Sequence, residues 1–263
     1  MDFVTLDFET ATIDRDSPCE IGLTFVKDSK VVDTKSWLIK PMQFPHFDPF
    51  NIYIHGIRPE DVADKPEFNQ LWITELKPLL ENQFIIAHNA GFDFSVLRRT
   101  LDTYRIPYPT LQYSCSYIFA KKVWGGLISY DLKPLCKVND IPLKHHRAGA
   151  DSLACAELSL KAFRVASVNS IDDFSEKLRT TIGKLYEGGY RASETKRIYL
   201  SEIVGDPLKH NTESIFYGKS VVFTGTLSTM IRAEAQQIIA NIGGINSNTV
   251  SGYKFFSCRP TRF

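Results

Sequence analysis

No two cysteines in the chain are spaced as CxxC. The five present, Cys19, Cys115, Cys136, Cys155 and Cys258, are scattered and odd in number, which argues against a disulfide framework or a zinc cluster and suits a reducing compartment. Charge of one sign is also missing: the net charge is +1, so a nucleic-acid partner would have to be gripped locally. No apolar run approaches the length of a membrane span. Met1 leads straight into a strand-like run with Asp2 behind it, without the charged and apolar regions of a signal peptide, so a cytoplasmic location without membrane contact is expected. A Gly-rich phosphate loop and a nucleophilic triad are absent too, Thr224-Gly225-Thr226 being too short for a P-loop.

What remains is a globular composition, 43% hydrophobic over 263 residues, enough for one domain of ordinary size and a smaller second one. Residues 2 to 8, 20 to 27 and 31 to 39 read as three strands with short turns, an antiparallel meander. Helical spacing follows over 67 to 80, then a buried strand at 84 to 88, a helix at 91 to 101 and a strand at 111 to 115. Two closing helices, DLKPLCKV and GADSLACAELSLKAF, complete a mixed α/β sheet of five strands with helices on its faces. Residues 166–213 are rich in Ser, Asp, Glu, Lys and Gly, with one helix near IDDFSEKLRTTIGKL and the break at Gly188-Gly189, and read as a linker. Residues 1–165 carry 19 basic and 21 acidic side chains, the remainder 12 and 9.

The chemistry lies in the carboxylates. Alternation along FVTLDFET turns Val4, Leu6 and Phe8 one way and Asp7 and Glu9 the other, so the two acids can share a cation. Such a pair alone occurs about once by chance in a chain of this length, and taken in isolation a solvated strand face is the simpler account of it. Asp93 follows His88 and Asn89 near the first turn of a helix, where the helix dipole alone favours an acid. Asp151, Cys155, Leu158 and Ala162 fall at i, i+4, i+7 and i+11, which places Asp151 at the head of an apolar stripe; a structural salt bridge is the competing account. His146, five residues earlier, has the unperturbed pKa of a base that works near neutrality, although a loop histidine is more often plain surface. His145 reads as its bystander. Arg98, Arg99, Lys121 and Lys122 read as solvated helix faces rather than phosphate contacts.

In this order FVTLDFET, IHGI at 54 to 57, HNAGFD and His146 with Asp151 resemble the motifs of the DEDDh 3′–5′ exonucleases, and in particular the proofreading epsilon subunit of bacterial DNA polymerase III. The resemblance covers residues 1–165. It implies an RNase H-like fold, with Asp7, Glu9, Asp93 and Asp151 as ligands of two divalent cations, Mg²⁺ or Mn²⁺, and His146 as general base. Thr10, His55 and Phe92 would border the terminal nucleotide. Arg58 stands where many relatives have threonine after HGI, which touches loop detail only. The implied reaction is release of nucleoside 5′-monophosphates from single-stranded DNA 3′ ends, in proofreading, repair or DNA maintenance, with a DNA polymerase or other replication protein as a candidate partner. Two rivals remain: an RNA-trimming exoribonuclease with the same catalytic residues, and an idle scaffold that binds nucleic acid or a polymerase.

Residues 214–263, which contain the run YGKSVVFTGTLSTMIRAEAQQIIANIGGINSNTVSG, resemble the first half of a BRCT domain such as the one that ends bacterial NAD-dependent DNA ligases. A complete domain needs a further strand pair and helices, and too few residues remain to bury a core of their own. The closing YKFFSCRPTRF does not read as the strand due after NTVSG, and a one-base shift of frame from Lys254 onward would restore one.

Overall fold

The computed structural model describes residues 1–143, 145–196, 199–225, 227, 230 and 232–249. The closing residues, Cys258 and the proposed shift of frame among them, lie outside the described residues. The chain forms two compact units, Met1–Lys196 and Arg197–Phe263.

In the first unit β1 (Phe3–Thr10), β2 (Pro18–Lys27) and β3 (Lys30–Leu38) form the expected meander. Two short helices follow, α1 (Pro49–His55) and α2 (Pro59–Val62), then α3 (Phe68–Leu71), which runs through a π-turn at Trp72–Leu76 into α4 (Lys77–Leu80). Strand β4 (Phe84–Ala87) enters parallel to β1, helix α5 (Ala90–Thr103) crosses back, and β5 (Leu111–Cys115) pairs parallel to β4. Helices α6 (Ser116–Val123), α7 (Leu132–Val138), α8 (Ala148–Ala166) and α9 (Asp173–Lys177) precede a hairpin of β6 (Gly183–Tyr186) and β7 (Gly189–Arg191). The sheet order is β3-β2-β1-β4-β5-β6-β7.

Five of these strands are the mixed sheet expected from the sequence. The other two correct it, because residues read as linker and helix end are sheet: the helix stops at Lys177, and β6 pairs antiparallel with β5 in the register Leu111↔Leu185 and Tyr113↔Gly183. Gly183 is required there, since a Cβ would strike the Tyr113 ring. Leu185 joins the main core, and Arg98 of α5 lies 3.6 Å over the Tyr190 ring. Helices α1 and α6 were also not anticipated; α1 starts on Asp48, whose carboxylate accepts from the Phe50 N–H, followed by Pro49.

Alternation along β1 divides the core between two faces. Val4, Leu6 and Phe8 pack with Phe68, Leu76, Phe94 and Leu97 from α3 to α5, and Phe3 packs on the other face with Phe163 and the α8 side. On that second face β2 presents Glu20, Gly22 and Thr24 in succession to the first turns of α8. Gly22 has no room for a Cβ, which would overlap the Ala148 carbonyl and the Gly149 nitrogen. One pleat on, the Thr24 hydroxyl lies 3.0 Å from both Ser152 Oγ and Thr34 Oγ1, while Thr5 Oγ1 donates to the Ser152 carbonyl at 2.7 Å. The helix is seated on three strands by a glycine notch and a ladder of small hydroxyls.

In the second unit a parallel pair, β8 (Ser220–Val221) and β9 (Ile245–Asn246), is linked through α10 (Arg232–Asn241). Among the described residues no helix is long and apolar enough to cross a membrane, and Cys19, Cys115, Cys136 and Cys155 are buried free thiols.

The notch gives a direct expectation. Gly22→Ala should lower unfolding stability by about 1–3 kcal/mol or more, since backbone rather than a flexible side chain must move, while Gly125→Ala, whose Cβ would have its nearest neighbour at 3.9 Å, should change little. Urea midpoints of the two variants decide it, and equal midpoints would remove the notch.

Candidate active site

Strand β1 outlasts its parallel neighbour. The β1–β4 pairing ends at Leu6↔Ala87, yet β1 continues to Thr10, so a crevice opens beyond the carboxyl end of β4, the place where open α/β sheets take ligands. The exposed ladder N–H of Phe8 is satisfied by Asp93 Oδ1 at 3.1 Å. Asp93 is thereby fixed on the first turn of α5, and its other oxygen, Oδ2, is buried with no hydrogen-bond partner.

Asp7 and Glu9 reach the crevice from β1, and Asp151 faces them from the first turn of α8; one oxygen from each lies within 4.8 Å of the others. Asp151 is 4% exposed. Its carboxylate accepts from His145 Nδ1 at 2.9 and 3.1 Å and from the His146 backbone N–H at 2.9 Å. His146 has φ +68°, a left-handed conformation rare outside glycine, and the two imidazoles stack with centroids 3.8 Å apart. His145, set aside on the sequence, thus contacts Asp151 through its ring, and both histidines line the cleft.

The cleft, about 720 Å³, is also lined by Thr10, His55 and Phe92, the three residues expected around a substrate. The Ile57 N–H donates to His55 Nδ1 at 3.0 Å, so Nε2 carries the proton and donates to the Thr10 carbonyl at 3.1 Å; burial lowers the pKa of this ring. Asn51 of α1 donates to the Thr10 and Thr12 carbonyls at 2.8 and 3.1 Å, and the Arg15 guanidinium sits 4.2 Å over the Phe92 ring. His88 is held neutral: Tyr130 O can only accept, so Nε2 donates to it at 3.0 Å while Nδ1 accepts from the Ser116 hydroxyl at 2.8 Å, and burial pushes its pKa down to about 4.

Glu20, absent from the sequence reading, stands opposite Glu9 in the β1–β2 register and is 1% exposed. It pairs with Arg147 and accepts from the Ala148 N–H. A lone acid in the apolar run of CEIGLTFV was the signal available.

A family model described as an exonuclease, RNase_T, matches residues 4–159. The chain belongs to this exonuclease family. A 3′-5′ exonuclease DinG of Staphylococcus epidermidis is 25% identical over 247 residues, 90% of this chain and 27% of that protein. A DNA polymerase III PolC-type of Thermotoga petrophila is 32% identical over 188 residues, 68% of this chain and 13% of its own length. The chain therefore spans about a quarter or less of these two relatives. Exonuclease X, solved in complex with 5′ overhanging duplex DNA, superposes with TM-score 0.53 at 26% identity over 64% of this chain and 94% of its own. The nuclease domain of 3′hExo, a DEDDh family member bound to rAMP, shares the fold with TM-score 0.52 at 15% identity, over 62% of this chain and 92% of that one. The first unit is an RNase H-like exonuclease domain.

The acids of this exonuclease domain are in electrostatic conflict. Burial, and then the charges of Asp93, Glu9, Asp151 and Glu20, raise the Asp7 pKa far above the carboxylate range. Burial followed by Asp151, Glu20 and Asp93 lifts Glu9 to about 8 against the pull of Arg147. Burial lifts Asp93 to about 8 as well, although the Phe8 N–H and Arg15 oppose it. Converging oxygens and the orphaned Asp93 Oδ2 fit hard divalent cations, which bind oxygen donors and supply the missing positive charge. Protonated acids are the alternative way out of the conflict, and this sets a pH dependence. Each raised carboxyl binds its proton more tightly in the folded than in the unfolded chain, so the metal-free protein loses stability as pH climbs from about 4 to about 8. In chelator the thermal midpoint should fall between pH 5 and pH 8, Mn²⁺ should raise it more at pH 8 than at pH 5, and Asp7→Asn should flatten the decline. A midpoint indifferent to both pH and Mn²⁺ would contradict the repulsive cluster.

Proposed function

We propose that the chain is a divalent-metal-dependent 3′–5′ exonuclease that releases nucleoside 5′-monophosphates from single-stranded DNA 3′ ends. The observation that carries this reading is the convergence of Asp7, Glu9 and Asp151 with His146 in one cleft at the end of β1, with Asp93 bonded to the Phe8 N–H between the two β1 acids.

Two Mg²⁺ or Mn²⁺ ions held by these four acids would offset their charge, lower the pKa of an attacking water and neutralise charge building on the phosphate and the departing 3′ oxygen. His146 is the proton acceptor. Burial, then the adjacent His145, with a smaller contribution from Lys133, lowers its pKa against the pull of Asp151, so the ring is neutral and able to take a proton at physiological pH. Asp151 accepts from the His146 backbone N–H and so restrains the turn that carries that ring. Thr10, His55 and Phe92 border the terminal nucleotide, with His55 locked by the Ile57 N–H and the Thr10 carbonyl rather than free to titrate.

Single strands are favoured by the mouth of the cleft. Ile13 is 82% exposed and Phe50 67% exposed where they line it, and Arg15 lies over Phe92. Apolar surface next to a cation over an aromatic ring suits an unpaired base and its phosphate. A role in DNA proofreading or repair, with a polymerase or another replication protein as partner, is supported by the PolC-type and DinG relatives. We read residues 214–263, which fall within the second unit, as the opening part of a BRCT-like domain.

Loss of a 3′ fluorescent label and appearance of mononucleotide on matched single-stranded DNA and RNA test this reading. Release should need Mg²⁺ or Mn²⁺ and be faster on DNA. In Asp7→Ala, still folded, it should fall by more than the roughly 10–100-fold that a lost outer partner of a metal site costs, and in His146→Gln kcat should fall by about 10²–10⁴. No release on either strand from folded wild type would leave the scaffold reading standing, and faster release from RNA would redirect the substrate.

A further inference from the structure

Strand β2 supplies none of the four converging acids, yet its second-face residues meet α8 at three consecutive points. Glu20 takes the Arg147 guanidinium through Nε at 3.2 Å and Nη2 at 3.1 Å, together with the Ala148 N–H at 3.2 Å. Gly22 receives the backbone of Ala148 and Gly149, and Thr24 meets Ser152. Arg147 follows His146 directly, and Asp151 lies one turn beyond Ala148. One buried carboxylate therefore holds the residue after the histidine and the start of the helix that bears the acid. It does so from a position whose register partner is Glu9.

We infer that Glu20, acting through Arg147, is a positioning residue that sets where His146 and Asp151 stand relative to Asp7 and Glu9. This rests on the exonuclease reading. Glu20 is buried but the Arg147 side chain is 47% exposed, so the pair is weak as mere glue: solvent screens the cation while the carboxylate bears a desolvation cost. What the forked guanidinium adds is direction: two parallel hydrogen bonds fix the orientation of the turn as well as its distance. The left-handed backbone at His146 makes such a restraint necessary, since that conformation is held only when its surroundings determine it.

The test is steady-state kinetics of wild type, Glu20→Gln, Arg147→Gln, Arg147→Lys and the Glu20→Gln/Arg147→Gln double variant, with Mn²⁺ binding measured by calorimetry and the ¹H–¹⁵N signals of the His145 and His146 rings recorded in each. Glu20→Gln keeps the shape and an acceptor for Ala148. Each single variant should lower kcat about tenfold with KM within about twofold and Mn²⁺ affinity little changed. The double variant should be no worse than the worse single, as expected of a pair acting as a unit, and Arg147→Lys should not restore the rate. Unchanged kcat in folded Glu20→Gln overturns the inference. A KM rise confined to Arg147 variants would make Arg147 a phosphate contact instead, and loss of Mn²⁺ affinity on the scale of Asp7→Ala would make Glu20 a ligand. Should wild type itself release no nucleotide, the exonuclease reading falls separately. The ring signals then decide the positioning: altered in Glu20→Gln supports it, unaltered refutes it.

Discussion

Mutual repulsion among buried carboxylates is the constraint around which this domain is built. Asp7, Glu9, Asp93 and Asp151 come from β1, α5 and α8, and no residue among them relieves the charge of the rest. Left to themselves such groups would drift apart or stay protonated. Each is instead held from outside the cluster: Asp93 by the Phe8 N–H, Asp151 by the histidine turn, and the two β1 acids by the strand itself. The restraints are short and mostly backbone, which keeps the acids in place whichever charge they carry.

The sheet makes those restraints possible. Because β1 runs past the end of β4, its last residues are free of one neighbour while still paired with β2. That half-paired stretch carries Asp7, Glu9 and Thr10, which line the cleft while the pairing with β2 keeps them from moving away. The helix opposite is seated by small residues, Gly22, Thr5, Thr24 and Ser152, that permit close approach where larger side chains would have pushed Asp151 out of reach.

Much of this was legible in the sequence because it follows from periodicity. Alternation in FVTLDFET separated the core residues from the acids, and helical spacing put Asp151 on the buried stripe with Cys155, Leu158 and Ala162, all of which are buried. Asp93 was placed by its motif, but its capture of a ladder hydrogen bond depends on where β4 stops, which no local pattern encodes. Glu20 escaped notice and His145 was set aside as a bystander because their importance lies in partners 127 and 6 residues away; an acid on a strand and the neighbour of a more conspicuous histidine look unremarkable locally. The β6–β7 hairpin was hidden for another reason. Its strands are three and four residues long and polar in composition, so their pairing is decided by the open edge of β5 and by contacts such as Arg98 with Tyr190, not by their own propensity.

That hairpin gives the domain its outer border. Without it β5, with Leu111 and Tyr113 in the main core, would end the sheet as a five-residue strand offering unpaired backbone groups to any other chain. With it the border is a three-residue strand, too short to template much pairing. A fragment trimmed at the end of α8, where the family match has already run out, would retain every acid and histidine of the cleft and yet carry a sticky margin. Its colloidal behaviour, rather than its chemistry, would be what the missing thirty or so residues decide.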